Sequence, residues 1–189
     1  EIAVLGINKS HPPMYRALKY FSGSMEHYYL TNPGIQNFNI IYFKDKSYRG
    51  NPIVSKIKLI YKELFEEDLL RNNYIYSSDN YSCYKSSVYF INKYFKHPIY
   101  NYKIFHLEIN KKKSALIVFR VININNNIII RIIDFEGDET LIAYMGKFAL
   151  DLLVEEKAEY LDFMQYGIQK KYFIEAGFSL LNNTQDVII

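Results

Sequence analysis

Three stretches decide the fold: Tyr102-Lys103-Ile104-Phe105-His106-Leu107-Glu108-Ile109, then Ser114-Ala115-Leu116-Ile117-Val118-Phe119-Arg120-Val121, then Ile128-Ile129-Ile130-Arg131-Ile132-Ile133. Each is dense in β-branched and aromatic residues, which suit a pleated and partly buried surface, and each has the length of a strand. The joints between them, Lys111-Lys112-Lys113 and Asn123 to Asn127, are polar turns. Connections this short make neighbours run antiparallel, because parallel strands need a crossover of a dozen residues or more. The three stretches therefore predict an antiparallel meander.

Reading outward from the meander, Leu141, Met145, Phe148 and Leu152 recur at intervals of four, three and four, which predicts a helix from about 139 to 156 introduced by Gly137-Asp138. Tyr160 to Phe163 reads as a short strand, Gln169 to Glu175 as a short helix closed by Gly177, and Val187 to Ile189 as the start of another strand. Upstream, Ser86 or Ser87 can cap a helix that carries Val88, Ile91 and Phe95 on one face and stops at Pro98. Residues 72–84 are a polar loop holding Cys83. Ile57, Ile60 and Leu64 predict a further helix over roughly 55–70, and Phe38 to Phe43 a strand. Thr31-Asn32-Pro33-Gly34 punctuates the chain as a boundary would, so residues 1–36 are read apart from residues 37–189. The fold class expected is α/β or α+β, with a mixed, mostly antiparallel sheet flanked by helices.

Composition narrows the function. The 189 residues carry a formal charge of +3 with scattered basic side chains, which argues against a dedicated nucleic-acid binder. No apolar run approaches the ~18 residues of a membrane span, so a membrane is not an expected partner. Cys83 is the only cysteine and forms no internal disulfide; with no secretory leader in view, the expected compartment is the cytoplasm. The start at Glu1 without a methionine and the apolar finish Val187-Ile188-Ile189 give the expectation of a chain trimmed at both ends. With 19 tyrosines and no tryptophan, an isolated tyrosine or asparagine signals little, and only spacing singles one out.

One segment has such spacing. Leu5-Gly6-Ile7-Asn8 followed by Tyr15, Leu18 and Tyr20 resembles the last helix of the GNAT N-acetyltransferase superfamily, in which an Asn precedes a Tyr by seven positions and a Leu-Gly-Phe follows. Lys19 stands where the family has its glycine. The resemblance implies a GNAT-like fold, acetyl-CoA as cofactor, Asn8 holding the coenzyme arm, and Tyr15 protonating the departing thiolate. Seven residues are two helical turns and place both side chains on one face, and a phenol can supply the proton. A second, fainter copy runs from about 85 to 189, where Tyr166-Gly167-Ile168-Gln169 and Phe173 to Phe178 echo the opening motif, with Gln169 in place of Asn8 and Phe173 in place of Tyr15. By this resemblance residues 1–36 are the last helix and strand of a first acetyltransferase-like copy, and residues 37–189 a second, divergent one. The reaction implied is acyl transfer to an amine, such as one on a nucleotide sugar in surface-polysaccharide synthesis; the alternative is a catalytically degenerate binding or dimerisation module.

The family's phosphate turn corresponds to Asp134-Phe135-Glu136-Gly137-Asp138-Glu139, in which one glycine remains and four carboxylates crowd the place of the anion. Asp138 and Glu139 are expected to cap the helix that follows. Glu108, on one strand face with His106, is the candidate general base, since Glu on a central strand is a recurrent base in this superfamily. Asp134 and Asp162 end strands expected to be neighbours, and a cleft between them could take a cation or an amine. His11, His27 and His97 have no partner at metal-ligand spacing, so no metal is expected. The strand from Met25 to Thr31 is expected to join the second copy's sheet or that of a symmetry mate in a homodimer, burying Tyr28 and Tyr29 while Glu26 and His27 stay nearer solvent.

Overall fold

The computed structural model describes residues 11–43, 57–72, 85–181 and 186–188. In chain order the elements are α1 (Pro12–Ala17), β1 (Glu26–Thr31), β2 (Ile41–Phe43), β3 (Ile60–Leu64), α2 (Glu66–Arg71), α3 (Ser87–Phe90) running into a π-helical turn (Ile91–Phe95), β4 (Tyr102–Ile109), β5 (Lys113–Ile124), β6 (Asn127–Gly137), a 3-10 segment (Glu139–Tyr144), α4 (Gly146–Glu155), β7 (Tyr160–Gln165), α5 (Lys170–Glu175), β8 (Ser179–Leu180) and β9 (Asp186–Ile188). The chain is α+β. Its main sheet has seven strands in the order β3-β4-β5-β6-β7-β1-β8, and a separate ladder joins β2 to β9.

The meander forms as its residues dictate. Asn125 and Asn126 take positive φ values of 50° and 67°, the pair of left-handed residues that a two-residue hairpin of matching twist requires, and Asn tolerates them well. The ladder between β5 and β6 slips at Val118 and Phe119, a bulge that resets the alternation before Asp134. The pairing of β6 with β7 is parallel and covers Ile130 to Ile132 against Leu161 to Phe163; β6 then continues to Gly137 and β7 to Gln165. All other neighbours in the sheet are antiparallel.

One face of the sheet is covered by the 3-10 segment, α4 and α5, and its core runs from Phe105 and Phe119 through Ile130 and Leu161 to Tyr28, with Phe148, Leu152 and Phe173 packed from the helices. The other face is covered in two places. Leu69, Phe90, Ile91 and Tyr94 sit on Leu64, Ile104, Leu116 and Val118, while Ile40 and Ile41 sit on Tyr29, Ile129 and Tyr160.

The strand expected from Met25 to Thr31 is β1, and it pairs within this chain's own sheet, between β7 and β8. Tyr28 and Tyr29 are buried while Glu26 and His27 are half-buried. The Asn32 amide donates to the carbonyls of Leu153 and Ala158 at 3.0 and 2.9 Å, which fastens the exit of β1 to the end of α4.

Three predicted elements differ. The helix over 55–70 is instead the edge strand β3 followed by α2: Ile57, Ile60 and Leu64 fit a helical stripe, but Ile60 is exposed and pairs with Glu108 across the β3–β4 ladder. Leu64 and the preceding Leu59 are buried and Tyr61 lays its ring on Phe148, while the rest of the strand stays toward solvent, as suits an edge strand. The long helix over 139–156 is broken at Met145: its first part is a 3-10 segment whose consecutive residues Leu141, Ile142 and Ala143 are all buried, and α4 begins only at Gly146. The helix after Ser86 buries Ser87, Phe90, Ile91 and Tyr94, a stripe turned away from the expected Val88–Ile91–Phe95 face, so Val88 is exposed; its second half widens to a π-turn. Cys83 and the loop over 73–84 lie outside the described residues.

Candidate functional site

Along the parallel β6–β7 pair and the stretch of β6 beyond it, the face opposite α4 holds two polar groups, each built around an aspartate. Arg131 and Asp162 are register partners across the parallel pair, so their side chains meet on one face. The Asp162 carboxylate is fully buried and accepts two-pronged hydrogen bonds from Arg131, 2.8 Å from Nε and 2.7 Å from Nη2. From the neighbouring β1, His27 Nε2 lies 2.9 Å from the same carboxylate. Burial opposes ionisation of Asp162, but the hydrogen bonds from His27 and Arg131 outweigh it and hold the carboxyl below the usual carboxylate range. Burial together with the Asp162 charge pushes the neighbouring Tyr160 phenol well above its ordinary value.

Three residues further along β6, Asp134 accepts from Lys85 Nζ at 2.5 Å and from the Tyr94 hydroxyl at 2.5 Å, with the Tyr89 hydroxyl at 3.4 Å. Lys85 also reaches Glu136 at 3.2 Å. Burial raises the Glu136 carboxyl, against the pull of Lys85, and burial with the Asp134 charge drives the Tyr94 phenol far up. The π-turn that carries Tyr94 aims its hydroxyl back at the sheet, a distortion of the kind that often accompanies specialised side-chain placement. The expected cleft between Asp134 and Asp162 therefore contains cations already. Both belong to the chain itself.

The turn that follows is closed in the same way. Asp138 caps the 3-10 segment by accepting from the Thr140 amide at 2.9 Å and from its hydroxyl at 2.5 Å, with Lys113 at 3.6 Å. The remaining glycine, Gly137, answers to packing: at φ +128° a Cβ there would lie 2.5 Å from the Ser114 carbonyl oxygen and 2.6 Å from the Ala115 Cα. It is needed so that β6 can pass β5.

The other sequence candidates are spread out. Glu108 stands half-buried on β4, opposite Ser114, beside His106 on the same face, and burial holds the His106 imidazole below its ordinary range against the Glu108 charge. Tyr15 lies on α1, which buries none of its residues, and contacts Tyr20 edge to face at 6.4 Å. Three strands separate β4 from β1, the strand that follows α1, so the fold does not gather Tyr15 and Glu108 at one point in this sheet. Asn8 lies outside the described residues. Among the described residues no group of His, Cys, Asp and Glu is arranged to hold a metal ion, and no helix is long and apolar enough to cross a membrane.

The internal repeat has a backbone counterpart. Helix α1 ends with the Lys19 amide donating to Arg16 and the Tyr20 amide to Tyr15; α5 ends with Gly177 donating to Ile174 and Phe178 to Phe173. Lys19 at φ 64° and Gly177 at φ 88° occupy the same left-handed position of this helix stop. The strands after the two stops, β1 and β8, are neighbours. Side chains separate the copies: Phe173 is buried and stacked on Tyr28 at 4.0 Å, whereas its counterpart Tyr15 is half-exposed.

The Arg131–Asp162–His27 group went unforeseen because His27 and Asp162 are 135 positions apart. The signal that could have found it was the pair of charged residues, Arg131 and Asp162, each in the middle of an otherwise apolar strand. Neither a protein-family model nor a curated protein sequence matches this chain.

Proposed function

We propose that residues 37–189 form a GNAT-like acetyltransferase module that has lost coenzyme A binding, and that it acts beside a first acetyltransferase-like copy whose last helix and strand are residues 1–36. The observation that carries this reading is the turn from Asp134 to Glu139. Three of its four carboxylates are engaged by the chain's own Lys85, Lys113 and Thr140, and a diphosphate entering there would meet those charges before any free amide. The burial of Phe173 agrees with it, because the position that would carry the proton-donating Tyr is filled by a core side chain.

For the first copy, the reaction proposed is acyl transfer from acetyl-CoA to an amine, such as one on a nucleotide sugar. Asn8 would hold the coenzyme arm. Tyr15 would give its phenolic proton to the departing thiolate, a role that lowers turnover when lost and leaves substrate affinity little changed. A base must take a proton from the attacking amine; Glu108, the sequence candidate for that step, lies in the coenzyme-silent copy, separated from β1 by three strands, and does not serve the first copy's reaction.

Calorimetric titration of acetyl-CoA into the protein tests the first part. The expected result is no saturable heat in the micromolar range. Saturable micromolar binding that survives Tyr15→Phe, with amide shifts centred on Gly137, would place the coenzyme at the acidic turn and overturn the reading.

A further inference from the structure

The sheet face opposite α4 carries one row of side chains in a single register. Tyr102 on β4 pairs with Arg120 on β5, Arg120 with Arg131 on β6, Arg131 with Asp162 on β7, and Asp162 with Tyr29 on β1. The row crosses the sheet between the two apolar clusters of that face, so polar groups lie where neither α3 nor the segment at Ile40 covers the strands.

Arg120 differs from every other charged group near it. Asp162 is satisfied by Arg131 and His27, and Asp134 and Glu136 by Lys85, but among the described residues Arg120 forms no ion pair. Its guanidinium carbon lies 3.4 Å from the centroid of the Tyr100 ring, the distance of face-to-face stacking. Stacking occupies the flat face of a guanidinium and leaves its N–H edge available. Tyr100 is backed in turn by His97, with ring centroids 4.9 Å apart and 23° between planes. His97 Nδ1 accepts from the Ile99 and Tyr100 amides at 3.1 and 3.0 Å, so Nε2 is the nitrogen that bears the proton and can donate. The stack His97–Tyr100–Arg120 thus fixes a cation and presents donors.

We propose that Arg120, together with Arg131, binds the diphosphate group of a small organic ligand on this face. The row holds two guanidinium groups and one carboxylate, which leaves one positive charge unmatched. Arg120 leans toward Tyr100, in the segment that enters β4, and Arg131 toward Asp162 on β7, so the two cations lean to opposite sides of the β5–β6 pair. A single carboxylate or phosphate meets one of them. A diphosphate carries two oxyanion groups on one short bridge and can meet both, with bidentate contacts to the edge of Arg120. A nucleotide-linked amino sugar contains such a group; that identification rests on the acceptor reading above, whereas the anion site does not.

The test is titration of the whole chain with inorganic pyrophosphate and with inorganic phosphate at fixed ionic strength. Pyrophosphate is expected to bind at least about tenfold more tightly than phosphate, and Arg120→Gln to weaken it by about tenfold or more with the thermal unfolding midpoint retained. Tyr100→Leu, which keeps every charge and removes the stack, is expected to weaken it severalfold and decides the matter if the Gln variant does not fold. Arg131 is left intact because its removal would strand Asp162. Absence of saturable pyrophosphate binding, or equal affinity in Arg120→Gln and Tyr100→Leu, would overturn the proposal while leaving the loss of coenzyme binding untouched. If acetyl-CoA also binds and Arg120→Gln abolishes it, the anion site stands and the reading of a coenzyme-silent module falls.

Discussion

Under α4 and α5 the sheet buries one continuous apolar layer from Phe105 to Tyr28, whereas the opposite face is divided into two apolar clusters by the row Arg120, Arg131 and Asp162. The strands supply both faces by the same alternation, so the difference lies in which residues occupy the alternate positions. A continuous layer maximises buried apolar area and serves stability. A charged row, with a carboxylate wholly out of water, costs desolvation that an apolar row would avoid, and is weak evidence for stability. The first face holds the protein together, while the second holds groups whose placement asks for another explanation.

The largest effect expected on the continuous face comes from Phe173→Ala. This ring is fully buried and stacks on Tyr28, so its removal should cost about 4 kcal/mol in urea unfolding, in the range for buried aromatic truncations. A loss below about 1 kcal/mol would show that the layer closes over the gap, and would weaken the contrast between the faces.

On the divided face, Arg131→Gln should cost about 3 kcal/mol, because Asp162 stays buried with only His27 beside it. The double variant Arg131→Gln with Asp162→Asn should recover much of that loss, since the stranded charge is gone. If the double variant is as unstable as the sum of both singles, Arg131 and Asp162 are not energetically coupled and the stranded-charge account fails.

Acid titration probes the same pair with a smaller effect. The Asp162 carboxyl is held below its unfolded value of about 4, so the folded state binds its proton less readily than the unfolded state does. Its contribution is therefore complete at neutral pH and is lost as pH falls through the depressed value. Wild-type stability should drop more steeply below pH ~4 than that of Asp162→Asn, measured by urea midpoints across the acid range. Parallel curves would remove Asp162 from the account.

The smallest effect expected belongs to the helix stops. Gly177→Ala should cost about 1 kcal/mol, because φ 88° is a left-handed conformation that a Cβ disfavours. The first copy already bears a side chain there at Lys19, on a helix that buries nothing, so Lys19→Gly should leave the global unfolding midpoint unchanged.

Much of the fold was legible in the strands. Tyr102 to Ile109 matches β4 to the residue, and the neighbouring strands differ only by running further into their turns. Local pattern failed where two periods fit the same residues. Ile57, Ile60 and Leu64 suit a helix by spacing, and only the ladder with β4 shows that Ile60 and Leu64 belong to an edge strand. It failed again where a helix changes pitch, at Met145 and at the π-turn around Tyr94, because a periodic stripe read from sequence assumes one pitch throughout. At the site, Asp134 and Asp162 were read as acids at the ends of neighbouring strands; both lie within β6 and β7 instead, and Lys85, Tyr94 and His27 come from elsewhere in the chain. Long-range pairing brings them in, and no local spacing announces it.

The most direct test of the central claim, that the turn from Asp134 to Glu139 serves this chain's own lysines rather than a coenzyme, is an amide NMR map of the protein with and without acetyl-CoA. The account predicts that the amides of Gly137, Asp138, Glu139 and Thr140 stay where they are through millimolar coenzyme. Saturable shifts centred on those four amides would contradict it.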